Sequence, residues 1–310
     1  MQTTLRAEIA LSGTGLHSGR PARLRLRPAP VDHGVVFIRK DVTEGEARVP
    51  ARWDAVDRTP LCTRLVNEHG IAVSTVEHLM AAFVGCGVLN AVVEIDGPEV
   101  PILDGSSAPF VRAILAVGLK RQDAAIRAIR VTEPVSVHTK NGWARLSPPR
   151  AGAALTMQFH IDFDDRAIGQ QDLSLDLANG AFVRELCDSR TFCSRADVTA
   201  MQAQGLALGG VPGVNAVVFD NGTIEGNTAL RHANEPVRHK MLDAVGDLAL
   251  AGVPILGHYE GHKAGHAMTN TLLHALFASP NSWEWVRLDD ETAARLPGVG
   301  VRADAVPQVA

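Results

Sequence analysis

A chain of 310 residues with 46% hydrophobic side chains is long enough for two domains of ordinary size, each with its own buried core. A net charge of −4 without any lysine or arginine block excludes the electrostatic footprint of a nucleic-acid binder. No apolar run approaches the ~18 residues of a membrane span, and Met1-Gln2-Thr3-Thr4-Leu5-Arg6 is too polar to open a signal peptide. A cytoplasmic protein with at most peripheral membrane contact is therefore expected. The four cysteines (Cys62, Cys86, Cys187 and Cys193) show no C-x-x-C spacing, which argues against a zinc knuckle and against a disulfide framework. Any metal would take nitrogen and oxygen ligands, and 12 histidines can supply them.

In chain order, Gly13-Thr14-Gly15-Leu16-His17-Ser18-Gly19 is a glycine-rich loop with no helix after it, so it is not a dinucleotide or P-loop fingerprint. Ala22 to Arg27 alternates apolar and basic residues, the pattern of a strand buried on one face. Val35 to Ile38, Cys62 to Asn67 and Ile71 to Val73 read as further strands. Ser74 followed by Glu77 matches a capping box opening a helix that runs to about Gly85. Asn90 to Ile95 reads as a buried strand and Ala108 to Val117 as a helix closed by Gly118. The polar connector Lys120-Arg121-Gln122-Asp123 marks a domain boundary.

Beyond it, Ala154 to Phe163 alternates almost perfectly, as a half-covered sheet does. Ala181 to Cys187 reads as helical. Residues 194–222 behave as an insertion, with a short helix near Val198 to Gln204, a strand from Val214 to Phe219 and an Asn221-Gly222 turn. Pro236 opens a helix that Gly252 and Pro254 end. Ile255 to Tyr259 is a strand, Gly261 to Gly265 a loop, and His266 to Ala278 a helix stopped by Pro280. From Asn281 onward the signals fade into a tail expected to be partly disordered. Val76-x-His78-x-Met80 recurs as Val237-x-His239-x-Met241, which suggests two similar α+β halves meeting at their histidines.

The chemistry concentrates in Arg238 to Asp247. Helical spacing puts His239, Asp243 and Asp247 on one stripe, with Gly246 beside them leaving room for a metal ion. A His–Asp pair one turn apart is also a common surface pair worth a few tenths of a kcal/mol, so the rest of the chain must decide. A hydrolytic zinc site uses three protein ligands and leaves one position open. His239 and Asp243 supply two, and His78 is the attractive third because Glu77 beside it can take a proton from a metal-activated water. His266 is the candidate acid for the leaving group, with Asp247 to keep it cationic. His262, four residues before His266, is incidental because Gly261 and Gly265 interrupt any helix there.

Leu61-Cys62-Thr63, Ser74 to Leu79, Pro101 to Phe110, Arg190-Thr191-Phe192, Val237 to Asp247 and Lys263-Ala264-Gly265-His266 together resemble the UDP-3-O-acyl-N-acetylglucosamine deacetylase family. Gly15 to Gly19 also fits, and the likeness runs in order from about Gly13 to Leu276. The resemblance implies an α+β fold of two similar layered domains, each a mostly antiparallel sheet packed against helices, with the active site at their interface. It implies hydrolysis of the acetamide of a UDP-linked acylated amino sugar to the free amine and acetate, the committed step of lipid A biosynthesis. His78, His239 and Asp243 would hold Zn2+, with Fe2+ as the alternative metal in the cell. Glu77 would be the general base, His266 the cationic acid supported by Asp247, and Thr191 would help hold the oxyanion. Lys240, Phe192, Cys62, Gly210 and His17 would contact substrate.

The same resemblance turns the 194–222 insertion into an acyl-chain passage. The sequence departs from the family there, with Cys193-Ser194-Arg195 after Phe192 and Val211-Pro212-Gly213 after Gly210. The expected organisation is an N-terminal α+β domain over 1–122, a C-terminal α+β domain over 123–280 and a tail over 281–310, acting as a monomer. Two rivals stand beside this reading. Two histidines and a carboxylate also form the iron-binding facial triad of oxygenases, though those enzymes usually present it on a β-barrel. A non-catalytic carrier of the sugar nucleotide would need neither the Glu77 base nor the His266 acid.

Overall fold

The computed structural model describes residues 1–43, 45–57 and 61–308. The strand Pro21–Pro28 buries Ala22, Leu24 and Leu26 and turns Arg23, Arg25 and Arg27 outward, as a period of two requires. These arginines meet Asp96, Glu8 and Glu94 respectively, so they are a solvated face. This strand lies between Ile9–Thr14 and Ala91–Ile95 in a five-stranded sheet that Val35–Arg39 and Arg48–Pro50 complete.

A second, seven-stranded sheet is built around Ile255–His262. Leu155–Asp162 runs parallel along one edge of that strand and pairs with antiparallel Gln170–Asp176 beyond. Along the other edge lie parallel Arg127–Val131 and antiparallel Trp143–Ser147. Leu155, Met157, Phe159 and Ile161 point into the core, the alternation expected of a sheet covered on one face.

Helix α1 (Glu77–Cys86) is followed by α2 (Ala108–Val117), α3 (Arg195–Ala203), α4 (Glu235–Leu248) and α5 (His266–Phe277). Helix α2 keeps its expected bounds because proline opens its first turn and Gly118 closes it. Helix α4 has Pro236 in its first turn and continues into a single tight turn that ends at Gly252, φ +80°. Helices α1 and α2 pack side by side, as do α4 and α5, and α1 lies against α4. In the chain α1 lies between the parallel strands Val35–Arg39 and Ala91–Ile95, and α4 lies between the parallel strands Leu155–Asp162 and Ile255–His262. The recurring Val-x-His-x-Met thus falls near the start of the crossover helix in two like α+β layers.

Several local expectations are corrected. Ser74 ends the strand Ala72–Ser74 and pairs with the Pro98 to Val100 backbone, so no capping box forms. Val76 takes the N-cap position without a side-chain bond, and Thr75 turns the chain at φ +58°. Residues Gly261 and His262 belong to the strand Ile255–His262, because pairing with Trp143, Ala144 and Phe159 outweighs the local glycine signal. Within residues 194–222 α3 begins at Arg195, where Ser194 caps it by accepting from the Asp197 N–H, and the strand is Val217–Asp220. Within residues 281–308 the strand Trp283–Arg287 pairs with Arg127–Val131. Its partner lies about 150 residues earlier in the chain, so no local pattern announces it.

Gly246 does not leave room for a metal. A Cβ there would lie 2.0 Å from the backbone oxygen of Glu77, so the glycine is where α1 and α4 touch. Alanine has a helix propensity about 1 kcal/mol better than glycine, while a forced shift of a packed backbone typically costs 1–3 kcal/mol or more. Packing should win here. Gly246→Ala is expected to lower the chemical-denaturation midpoint by the equivalent of roughly 1–2 kcal/mol. A raised midpoint would mean that the helices separate without cost.

Candidate active site

Helix α4 places His239 and Asp243 one turn apart on the face that meets α1, and α1 contributes His78 from its first turn. His239 donates its Nδ1–H to the Ser189 carbonyl at 2.9 Å, which fixes the tautomer and aims a bare Nε2 at Asp243 Oδ1, 3.3 Å away. The Nε2 of His78 reaches the same oxygen at 3.5 Å. The two imidazole planes cross at 83° with centroids 5.0 Å apart. Burial lowers the His239 pKa to about 4, so the ring is neutral near pH 7. Burial opposes ionisation of Asp243, yet His239, Lys240 and His266 around it hold its carboxyl well below the usual range.

The three ligand atoms lie within 4.8 Å of one another, and the buried Asp243 Oδ1 has no hydrogen-bond partner. Converging lone pairs in a dry site repel unless a cation lies among them. Two imidazoles and a carboxylate therefore fit a divalent metal with an open coordination position. The other oxygen of Asp243 pairs with Lys240 Nζ at 3.0 Å. Burial would lower the pKa of Lys240, but Asp243 outweighs it and the ammonium is held.

Beside this cluster lie an acid and a base. Glu77 is 3% exposed, and burial raises its pKa against the pull of nearby His266 and His78. One carboxylate oxygen accepts the Thr63 backbone N–H at 3.1 Å, and the other lies 3.7 Å from His266 Nε2. His266 opens α5, and its Nδ1 donates to Asp247 Oδ2 at 2.9 Å. Burial alone would lower its pKa, but Asp247, Glu77 and Asp243 together raise it to about 9. A cationic imidazole thus faces a carboxylate whose burial favours its taking up a proton. The second oxygen of Asp247 accepts the Thr63 hydroxyl at 2.5 Å.

A cavity of about 720 Å³ opens over these groups, with Lys240, Asp243 and His266 on its floor and Thr191, Phe192 and His17 in its wall. Thr191 is held by backbone bonds to Gly105 and Val217. Phe192 stands edge-on to His239 at 6.2 Å. Residues 194–222 add Val198, Met201, Leu206, Ala207 and Gly210 to the wall. Cys62 is buried one residue before Thr63 and does not line this cavity among the described residues. Both ring nitrogens of His17 are buried without a partner, and burial lowers its pKa, so it faces the cavity as a neutral imidazole.

Supporting residues gave no local signal. Glu99, 4% exposed, accepts the backbone N–H groups of His17 and Ser18 and the Thr75 hydroxyl, tying the glycine loop to the turn that starts α1. Arg190 and Glu235 form a buried two-point ion pair at 2.8 and 3.1 Å, which fixes the segment carrying the Ser189 carbonyl and Thr191. Their partners lie 24 to 82 residues away, out of reach of any short motif.

These elements define a class: a two-layered α+β protein whose paired helices carry a His₂Asp cluster beside a buried carboxylate and a cationic imidazole. The model of the family LpxC, UDP-3-O-acyl N-acetylglycosamine deacetylase, matches residues 2–278. The chain belongs to that family. It is 44% identical over 94% of each chain to the UDP-3-O-acyl-N-acetylglucosamine deacetylase of Mannheimia succiniciproducens and 44% identical to that of Idiomarina loihiensis, again over 94% of both. The Pasteurella multocida protein of the same name is 43% identical over 94% of this chain and 95% of its own.

Removing one member of a buried ion pair leaves an uncompensated charge and costs about 3–5 kcal/mol. Glu235→Ala is expected to destabilise the protein by that amount in equilibrium denaturation, with Arg190 left buried. A loss below about 1 kcal/mol, the scale of an exposed pair, would show that the pair does not hold this segment.

Proposed function

We propose that the protein is a zinc-dependent deacetylase that hydrolyses the acetamide of UDP-3-O-(3-hydroxyacyl)-N-acetylglucosamine to the free amine and acetate, in the cytoplasm, as a step of lipid A biosynthesis. The reading is supported by family membership, by the names of the relatives and by one observation above all. A buried Glu77 and a cationic His266, 3.7 Å apart, flank a His₂Asp cluster whose carboxylate oxygen lacks a partner. Simple binding of a sugar nucleotide needs no such pair. We further assign residues 1–122 and 123–280 as the two domains, with 194–222 as an insertion in the second. The pairing of Thr3–Leu5 with Leu119–Arg121, which closes the first segment on itself, supports that boundary.

His78, His239 and Asp243 would hold the metal, which when bound acts as a Lewis acid and makes a water nucleophilic at neutral pH. Glu77, beside this cluster, would take up a proton from the attacking water, and the pKa that burial raises strengthens it as a base. The attacking oxygen adds to the amide carbon, and the carbonyl oxygen gathers negative charge. The Thr191 hydroxyl and the His266 cation, both lining the cavity, would meet that charge, and a preorganised donor there is worth several kcal/mol. As the C–N bond breaks, His266 Nε2 delivers a proton to the amine, with Asp247 on Nδ1 fixing the ring's orientation. Lys240, Phe192, Gly210 and His17 would bind the rest of the substrate. The apolar wall of Val198, Met201 and Leu206 suits an acyl chain. Cys62 would act through its neighbour Thr63 rather than by contact.

Three outcomes are expected. The metal-loaded protein should release acetate from the acylated sugar nucleotide, lose that activity on chelation and regain it with a divalent metal; no acetate at any acyl length would overturn the reading. Glu77→Ala should keep its metal, measured by plasma mass spectrometry, while losing more than ~10²-fold in kcat. The third concerns pH. Glu77 must be ionised, so kcat/KM should fall as pH drops through a pKa raised above the ordinary carboxylate value. His266 must be protonated, so kcat/KM should fall again as pH rises through about 9. His266→Gln should remove the alkaline fall.

A further inference from the structure

We infer that Thr63 is a positioning residue for this hydrolysis, a group that bonds to the base Glu77 and to the acid's partner Asp247 across the two halves. The inference rests on the deacetylase reading and goes beyond its residue roles. Thr63 lies just before the strand Arg64–Val66 and is 3% exposed. Its backbone is held at the start of α1, where its carbonyl accepts the Val76 N–H at 3.4 Å. From that position the two ends of the residue serve different partners. The backbone N–H donates to Glu77 Oε2 at 3.1 Å, and the hydroxyl donates to Asp247 Oδ1 at 2.5 Å. Asp247 Oδ2 accepts from His266 Nδ1 at 2.9 Å, and His266 Nε2 returns to within 3.7 Å of Glu77 Oε1. The four residues close a ring.

The ring has a consequence for Asp247. A carboxylate held by one hydrogen bond can turn about its terminal torsion, which is broad. With the Thr63 hydroxyl on one oxygen and the His266 ring on the other, its plane is fixed, and so is the direction in which His266 Nε2 points. A hydroxyl has a single proton to donate, and here it goes to the carboxylate. The partners lie 184 residues apart in sequence, so the bond also registers the α1 half against α4. Outer partners of this kind typically change activity 10–100-fold when removed.

The test compares Thr63→Val, which keeps the shape and the backbone N–H but removes the hydroxyl, with Thr63→Ser, which keeps the hydroxyl. Thr63→Val is expected to lower kcat about 10–100-fold with KM and bound metal within about two-fold of the starting protein, and Thr63→Ser to restore most of the loss. In an Asp247→Asn background Thr63→Val should add less than two-fold, because its partner is already altered. The His266 Nδ1–H proton resonance, read by nitrogen-15 NMR, should be slow to exchange in the starting protein and in Thr63→Ser, and exchange-broadened in Thr63→Val. That readout needs no turnover, so it stands even where the starting protein releases no acetate. Equal kcat in Thr63→Val and the starting protein would overturn the inference. So would equal losses in the Val and Ser variants, an additive loss in the double variant, or an unchanged His266 proton.

Discussion

Everything at the site depends on how closely α1 and α4 approach. The Glu77 carbonyl lies where a Gly246 side chain would begin, so two helix backbones meet without side chains between them. Helices normally pack at 8–10 Å, spaced by the side chains at the contact. Here the contact falls one residue before Asp247, three after Asp243 and at Glu77 itself. The close approach brings the first turn of one helix and the middle of the other into a single buried group of three carboxylates, Glu77, Asp243 and Asp247, and two imidazoles, His78 and His239. Neither half holds a working set alone.

The electrostatics follow from that burial. In such a site neutral histidine is favoured unless an acid compensates, and the two outcomes occur side by side. His239, tied to a carbonyl, is lowered to about 4, and His266, tied to Asp247, is raised to about 9. The same residue type is thus neutral in one place and cationic in the other, and the second partner makes the difference. Burial likewise pushes Glu77 up, while Asp243 stays ionised among cations. Carboxylates and imidazoles driven apart in this way are how a single pocket supplies both proton donor and acceptor at one pH.

The elements most legible in the sequence were those written locally. Helix α2 is read to the residue because proline and glycine punctuate it, and the alternation of Leu155 to Ile161 gives the covered sheet. The Val-x-His-x-Met echo marks the two crossover helices, and the i, i+4 pair of His239 and Asp243 marks one half of the cluster. What failed was decided by distant partners. Ser74 and Glu77 have the spacing of a capping box, but strand pairing takes the serine and Thr63 takes the glutamate. Gly246 reads as open space and is in fact a contact. Trp283 to Arg287 reads as a fading tail and is a strand, because its hydrogen bonds go to Arg127 to Val131. Glu99, Arg190 and Glu235 carry no motif, since a buried charge is explained only by the group it meets.

The central claim is that one metal ion is held jointly by the two halves. Anomalous diffraction at the zinc edge, from crystals grown with zinc, tests it most directly. The account predicts one strong peak bounded by His78 Nε2, His239 Nε2 and the Asp243 carboxylate, at roughly 2.0–2.2 Å from each. A peak elsewhere, such as beside the stacked His160 and His262 on the outer sheet, or one whose ligands all come from a single half, would contradict it.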